Sequence, residues 1–285
     1  MSRRRSRTNG SRRRQSSQQK RTALLLLLFF GVVIAAGFMI SAGNSNKSEH
    51  RELATQGDLS KVKTAKGLDE KILNYEGMTV SFNPTLHIPN WVAWELTADE
   101  ANGTEPRSNN FNVDPAVKGC ADPKDYTRSG YDRGHMAPAG DMKWSPTAME
   151  ETFFMTNICP QDGSLNRGSW KKLEEKCRMR AQRDSAIIIV CGPVLASKPK
   201  KYIGETQVAV PESFFKVILS PYSDPPVAIG FIMPNGHVEG GMQQCAMSVD
   251  EVERITGHDF FYNLPDDIEN AVESRFNFDR WSRMK

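Results

Sequence analysis

No two of the five cysteines, Cys120, Cys159, Cys177, Cys191 and Cys245, form a C-x-x-C pair. That absence argues against a structural zinc site and against a thioredoxin-like redox motif. An odd count leaves two states open: one or two disulfides with a spare thiol, or five buried free thiols. The chain also lacks internal repeats and any familiar major-groove reading motif. Net charge is scarce, only +3 over 285 residues, and it is unevenly spread. Residues 1–21 contain no acid and nine Lys or Arg, so the remaining 28 basic residues face 34 acidic ones. The folded part is therefore mildly acidic, and any polyanion it binds must meet a local basic patch.

Charge is missing altogether from Ala23 to Ala42, a run of 20 residues. As a helix it would be roughly 30 Å long, about the thickness of a bilayer's hydrocarbon core. The run is apolar all round and directly preceded by arginines, which argues against a buried core helix. A cleaved signal peptide has an apolar core of about 7–15 residues, shorter than this one. A mitochondrial transit peptide would be amphipathic, and residues 2–21 contain no large apolar side chain. We read the run as an uncleaved signal anchor. The positive-inside rule then puts the basic tail, residues 1–22, in the cytoplasm and the rest on the far side, in a bacterium the periplasm or outer face.

Residues 43–66 are polar and without periodicity, which predicts a flexible linker, and residues 67–285 form the folded domain. Within it, strands are expected at Met78–Phe82, Trp91–Leu96, Ala186–Cys191, Phe214–Leu219 and Val227–Met233. Their spacing suggests antiparallel hairpins rather than β-α-β crossovers. Three helices are expected. Ser145-Pro146 opens one that runs through Thr152. Ser169–Arg183 places Trp170, Leu173, Cys177 and Ala181 on one face, with Lys171, Lys172, Lys176, Arg178 and Arg180 elsewhere. Ser248–Ile255 starts with a capping box, Ser248 with Glu251. The fold class is α+β.

The chemistry concentrates between Tyr131 and Glu175. Asp132-Arg133-Gly134-His135 sets a histidine close to an Asp and an Arg and beside a glycine, which suits a base that must approach a phosphate. His50, His87, His237 and His258 have no such context and are read as ordinary core or surface residues. Downstream stand Thr156-Asn157-Ile158-Cys159-Pro160-Gln161 and Leu165-Asn166-Arg167-Gly168-Ser169-Trp170, with Leu173-Glu174 one turn into the expected helix. An imidazole, an amide and a carboxylate on a strand, loop and helix can hold one hard cation loosely and leave most of its coordination to water and phosphate.

In these segments the sequence resembles the DNA/RNA non-specific endonuclease family, the sugar-non-specific nucleases that include mitochondrial endonuclease G. Asp132–His135 matches the family's D-R-G-H, Asn157–Gln161 its N-x-x-P-Q, and Leu165–Glu174 its L-N-x-G-x-W-x-x-L-E. Asn90–Leu96 resembles its early strand, and Arg107, Phe111 and Asp114 its R…F…D stretch. The resemblance covers roughly Met78 to Thr256.

It implies a ββα-metal (His-Me finger) core on an antiparallel sheet with flanking helices, preceded here by one transmembrane helix. It implies His135 as general base, with water attacking phosphorus in line with the departing 3′ oxygen to leave a 5′-phosphate. Asn166 would be the direct protein ligand of Mg²⁺, or of Mn²⁺ or another divalent cation in its place, and Glu174 would hydrogen-bond its bound water. Asn157 would fix the geometry around His135, and Arg107 would stabilise the transition state. Arg133 and Arg167 would touch the substrate backbone or be paired structurally, and both readings stay open. So do two readings of the Lys171–Arg183 charges, a substrate patch or a solvated helix face.

The partners implied are DNA and RNA, read without sequence preference because phosphate contacts carry no base information. The membrane joins them through residues 23–42, and a homodimer and an inhibitor protein are open. Two competing functions remain: a tethered nucleic-acid-binding protein without turnover, and a phosphodiesterase for small nucleotides.

Overall fold

The computed structural model describes residues 58–195 and 198–283. The expected basic tail, the span 23–42 and linker residues 43–57 lie outside them. Among the described residues no helix is long and apolar enough to cross a membrane.

Seven strands form one antiparallel sheet: β1 (Lys71–Asn74), β2 (Thr79–Asn83), β3 (Ile88–Thr97), β6 (Ala186–Pro193), β9 (Ser213–Ser220), β10 (Val227–Pro234) and β11 (Ala246–Met247), adjacent in that order. The hairpin expectation is borne out, and all five expected strands are present with ends shifted by a few residues. Two short hairpins stand apart: β4 (Asp132–His135) with β5 (Ile158–Gln161), and β7 (Tyr202–Ile203) with β8 (Val208–Ala209).

Period-two alternation sorts the central strands onto two faces. One face carries Val92, Trp94, Leu96, Ile187, Ile189, Phe214, Ile218, Ile229 and Phe231. The other carries Trp91, Ala93, Ile188, Val190, Phe215, Val217 and Leu219. Both are covered, so these strands read as near-continuous apolar runs. The first face receives the β4–β5 hairpin and helix α2 (Lys171–Asp184) through Ile158, Trp170, Leu173, Cys177 and Ala181. The second receives helix α3 (Val249–Thr256) through Val249 and Val252, and α4 (Asp266–Glu273) through Val272.

The short helix α1 (Pro146–Glu151) begins as expected, the Ser145 hydroxyl accepting from Ala148 N–H. α3 begins at Ser248, whose hydroxyl accepts from Glu251 N–H. Helix α2 starts two residues later than expected because Leu165–Trp170 forms a wider π-type turn, kinked at Gly168 (φ −105°, ψ −110°). Helices α4 and α5 (Phe278–Ser282) were not expected.

Two charges assigned to the outside of α2 are not there. Arg180 is buried and paired with Asp184 at 2.5 Å, and Arg178 pairs with buried Asp141 at 2.8 Å. A basic patch on this helix therefore reduces to its lysines and Arg183. The linker also ends sooner than expected. Leu59 is buried in the second core, Trp91 Nε1 donates to the Thr64 hydroxyl, and Ala65 N–H donates to His258 Nδ1. The residues from Asp58 on belong to the packed domain because they cover the edge of that core. All five cysteines are buried and free, which resolves the sequence alternatives in favour of thiols.

Candidate active site

The β4–β5 hairpin and the start of α2 bring the three motif segments together. His135 closes β4 and pairs with Ile158, while Arg133 pairs with Pro160. The Trp170 indole donates to the His135 carbonyl at 3.4 Å, tying the helix start to the strand. Gly134 has a local reason to be glycine. A Cβ there would stand 2.1 Å from the side-chain oxygen of buried Gln161. The close approach it permits is thus to a protein side chain.

His135 is 8% exposed and packs between aromatic neighbours, 5.3 Å from Phe111 and edge-on to Phe153 at 4.9 Å between ring centres. Its Nε2 is sealed and has no hydrogen-bond partner among the described residues. Burial, helped by the charge of Arg107, lowers its pKa to about 3, so the imidazole is neutral at pH 7. A neutral imidazole at working pH is what a general base requires.

Asn157 is fully buried and saturated. Its Nδ2 donates to the carbonyls of Ala137 and Thr152, and its Oδ1 accepts from Ala137 N–H, all at 2.9 Å. It clamps the chain just after His135 to the end of α1. Asn166 is half-buried, and its Nδ2 donates to Asp132 Oδ2 at 3.0 Å. That contact orients the amide and leaves its oxygen without a partner among the described residues. Arg167 is ion-paired to the same Asp132 oxygen while 71% exposed.

Glu174 lies in the first turn of α2. Burial pushes its carboxyl up to about 7, against the pull of Lys216, Arg178 and Arg107. Behind it is a charged layer that sequence reasoning missed. Lys216, fully buried on β9, sits 4.6 Å from the Trp170 ring and 5.1 Å from the Trp94 ring. Asp141 accepts from both Trp94 Nε1 and Arg178. The sequence signal was a lysine at an inward position of an apolar strand, between Phe214 and Ile218.

Arg107, Phe111 and Asp114 all reach the site. The Arg107 guanidinium lies 4.9 Å from the centre of the Phe153 ring, and its Nε donates to Asn109 at 2.7 Å. Phe111 packs against His135 and also against the Arg133 guanidinium, which stands 5.1 Å from that ring and donates to the Pro123 carbonyl. Buried Asp114 accepts from Thr156, next to Asn157, at 2.6 Å. His258, by contrast, lies in the second core, and His87 faces the Gly119 carbonyl.

The donor set fits one weakly held hard cation: a free amide oxygen oriented by Asp132, the Glu174 carboxyl on the helix that follows, and, among the described residues, no cysteine or histidine cluster that would select zinc. Such an ion keeps most of its water, and one or two protein oxygens suffice.

Comparison with known proteins agrees with this geometry. Residues 55–267 match the family described as DNA/RNA non-specific endonuclease. The mitochondrial nuclease EXOG of Danio rerio is 34% identical over 252 residues, 79% of this chain and 74% of the relative. The Mus musculus EXOG is 36% identical over 208 residues, 67% of this chain and 56% of its own length. A chain solved in an EndoG/EndoGI complex superposes with a TM-score of 0.64 at 30% identity, covering 75% of this chain and 91% of that one.

Proposed function

The chain belongs to the DNA/RNA non-specific endonuclease family and is a nuclease, and from that membership we propose that it cuts both nucleic acids with His135 as base and a divalent cation held at Asn166. The observation that carries the reading is the orphaned Nε2 of His135, buried and neutral on the strand whose Asp132 orients Asn166.

His135 accepts a proton from water, and the hydroxide attacks phosphorus in line with the 3′ oxygen, which departs, takes a proton from solvent and leaves a 5′-phosphate. The incoming phosphate anion offsets the field of Arg107 and raises the basicity of His135 as substrate binds. Arg107 then faces the negative charge that grows on phosphorus. Mg²⁺, or Mn²⁺ in its place, supplies Lewis-acid stabilisation of the phosphate and the leaving oxygen when bound. Asn166 would hold it through its free amide oxygen, and Glu174 would order its hydration. Asn157 keeps the strand end and α1 in register. Arg133 and Arg167 extend the positive rim toward the substrate backbone. Contacts of this kind engage phosphate and carry no sequence information.

The reading extends to topology: residues 23–42 anchor the chain and residues 1–22 stay cytoplasmic, so the nuclease acts beyond the membrane, away from the genome. It is supported by a charge-free run of 20 residues behind nine basic ones. External protease on intact spheroplasts that spares the nuclease domain would sink this part. A relative solved in a complex concerned with EndoG inhibition motivates a protein inhibitor for this chain as well.

The test is digestion of plasmid DNA and RNA by the purified full-length chain, with Mg²⁺ or EDTA, beside His135→Ala. Loss of both substrates that needs the metal and drops by roughly 10²–10⁴-fold in the variant supports the reading. Full activity in the variant removes His135 from the mechanism.

A further inference from the structure

On the sheet face opposite the nuclease site, helices α3 and α4 bring three carboxylates together. Asp250 and Glu253 stand three residues apart on α3, and Glu273 ends α4. One oxygen from each lies within 4.8 Å of the others. The arrangement is graded in depth: Asp250 is exposed, Glu253 half-buried and Glu273 only 4% exposed.

A second observation concerns the deepest group. Oε1 of Glu273 is sealed from solvent, and no donor among the described residues reaches it. The nearby cations are committed elsewhere. Lys63 pairs with Asp259 at 2.8 Å, Arg254 with Glu251 at 2.6 Å, and Arg275 donates to the Ala271 carbonyl. Glu253 has one oxygen engaged by Phe260 N–H at 2.7 Å, which leaves the other free. Asp259 and Glu269 only deepen the negative field around the cluster. A buried carboxylate with neither donor nor counter-ion is among the more costly features a fold can carry.

We propose that Asp250, Glu253 and Glu273 form a second cation site, distinct from the catalytic one, which takes a hard divalent ion of the calcium type and clamps α4 to α3. Calcium suits such a site better than magnesium, because it accepts a cage of several carboxylates in flexible geometry, whereas magnesium dehydrates reluctantly and is usually held by one or two carboxylates. Exposed Asp250 gives the entry, Glu273 the floor, and water fills the remaining positions. The site uses none of the residues that face the substrate, so its ion stabilises the fold without taking part in cleavage.

The experiment is thermal melting of the metal-stripped full-length chain with and without Ca²⁺, together with equilibrium dialysis to count bound ions. Ca²⁺ is expected to raise Tm by several degrees in the wild type and in Asn166→Ala, and to leave Glu273→Gln and Asp250→Asn unmoved. Without the ion, Glu273→Gln should melt at or above the wild type, since it takes an acid out of a crowded cluster of carboxyls, and this shows that the variant folds. Its Mg²⁺-dependent cleavage should equal the wild type's. An equal Ca²⁺ response in Glu273→Gln and wild type overturns the proposal. So does a wild type that ignores Ca²⁺ while Glu273→Gln melts higher, because Glu273 then simply carries a proton.

Discussion

The imidazole of His135 and the guanidinium of Arg107 share one aromatic ring, each lying 4.9 Å from the centre of Phe153. Burial chiefly, and the nearby Arg107 charge in addition, hold the imidazole pKa down at about 3. The sign follows directly. His135 works as a base when neutral, so the acid limb of kcat/KM in the free enzyme lies well below the ordinary imidazole range. Arg107→Met should move that limb to higher pH, and should also slow cleavage by roughly 10²–10³-fold because transition-state charge loses its donor. A pH profile of plasmid cleavage separates the two effects. A slower variant with an unmoved limb would show that Arg107 serves the phosphate alone.

Asn157 makes its case through saturation. Its three hydrogen bonds join backbone groups of Ala137 and Thr152, both fully buried. Asn157→Ala should cost about 3–9 kcal/mol in urea unfolding, since three groups are stranded at about 1–3 kcal/mol each. Asn157→Asp should be worse still, because a carboxylate oxygen would then face two carbonyls. Equal stability of all three proteins would mean that the clamp contributes nothing.

Asp132 holds the amide of Asn166 and the guanidinium of Arg167 on one oxygen. A side chain that orients a ligand typically matters 10–100-fold to metal affinity. Asp132→Ala should therefore raise the Mg²⁺ concentration for half-maximal cleavage by about that factor, with a smaller change in the rate at saturating metal. Arg167→Ala should leave the metal requirement alone, because a pair whose arginine is 71% exposed is worth little. Matching Mg²⁺ curves for Asp132→Ala and wild type would refute the orienting role.

Much of this architecture was legible in the sequence, and the parts that were not share a physical cause. Strands β6, β9 and β10 could be read because both faces are buried, which leaves long apolar runs. The motif segments around His135, Asn157 and Asn166 could be placed because residue type and spacing together are rare. What escaped depends on contacts made far along the chain. Arg178 and Arg180 look like solvated helix charges until Asp141, from a distant loop, and the Ser220 hydroxyl and Trp281 carbonyl are seen beside them. Helix α4 carries three acids in its first turn and buries only Val272 and Glu273, too few positions to reveal an apolar stripe. The stretch from Asp58 to Lys66 looks like linker because its packing rests on Leu59 and on hydrogen bonds to Trp91 and His258.

That stretch gives the last prediction. Removing residues 1–66 takes away buried Leu59, a burial worth about 1.5–3 kcal/mol, and the hydrogen bonds with Trp91 and His258 and the backbone pair between Lys63 and Asp259, each worth about 1 kcal/mol. A chain beginning at Gly67 should therefore lose about 5–7 kcal/mol relative to one beginning at Leu53. It should melt at least roughly 10 °C lower, given about 2–4 °C per kcal/mol at this size. His258 adds a pH signature. Burial lowers its pKa from 6.5 to about 4, so the stability tied to its neutral form is complete above pH 6.5 and is lost as pH falls toward 4. Without Ala65 and its neighbours the ring opens to water, its pKa returns toward normal, and that loss should flatten. Urea unfolding of both chains between pH 7 and 4 checks this. Parallel curves would mean that residues 58–66 only rest on the surface, and that His258 is buried by Phe215 and Phe260 without them.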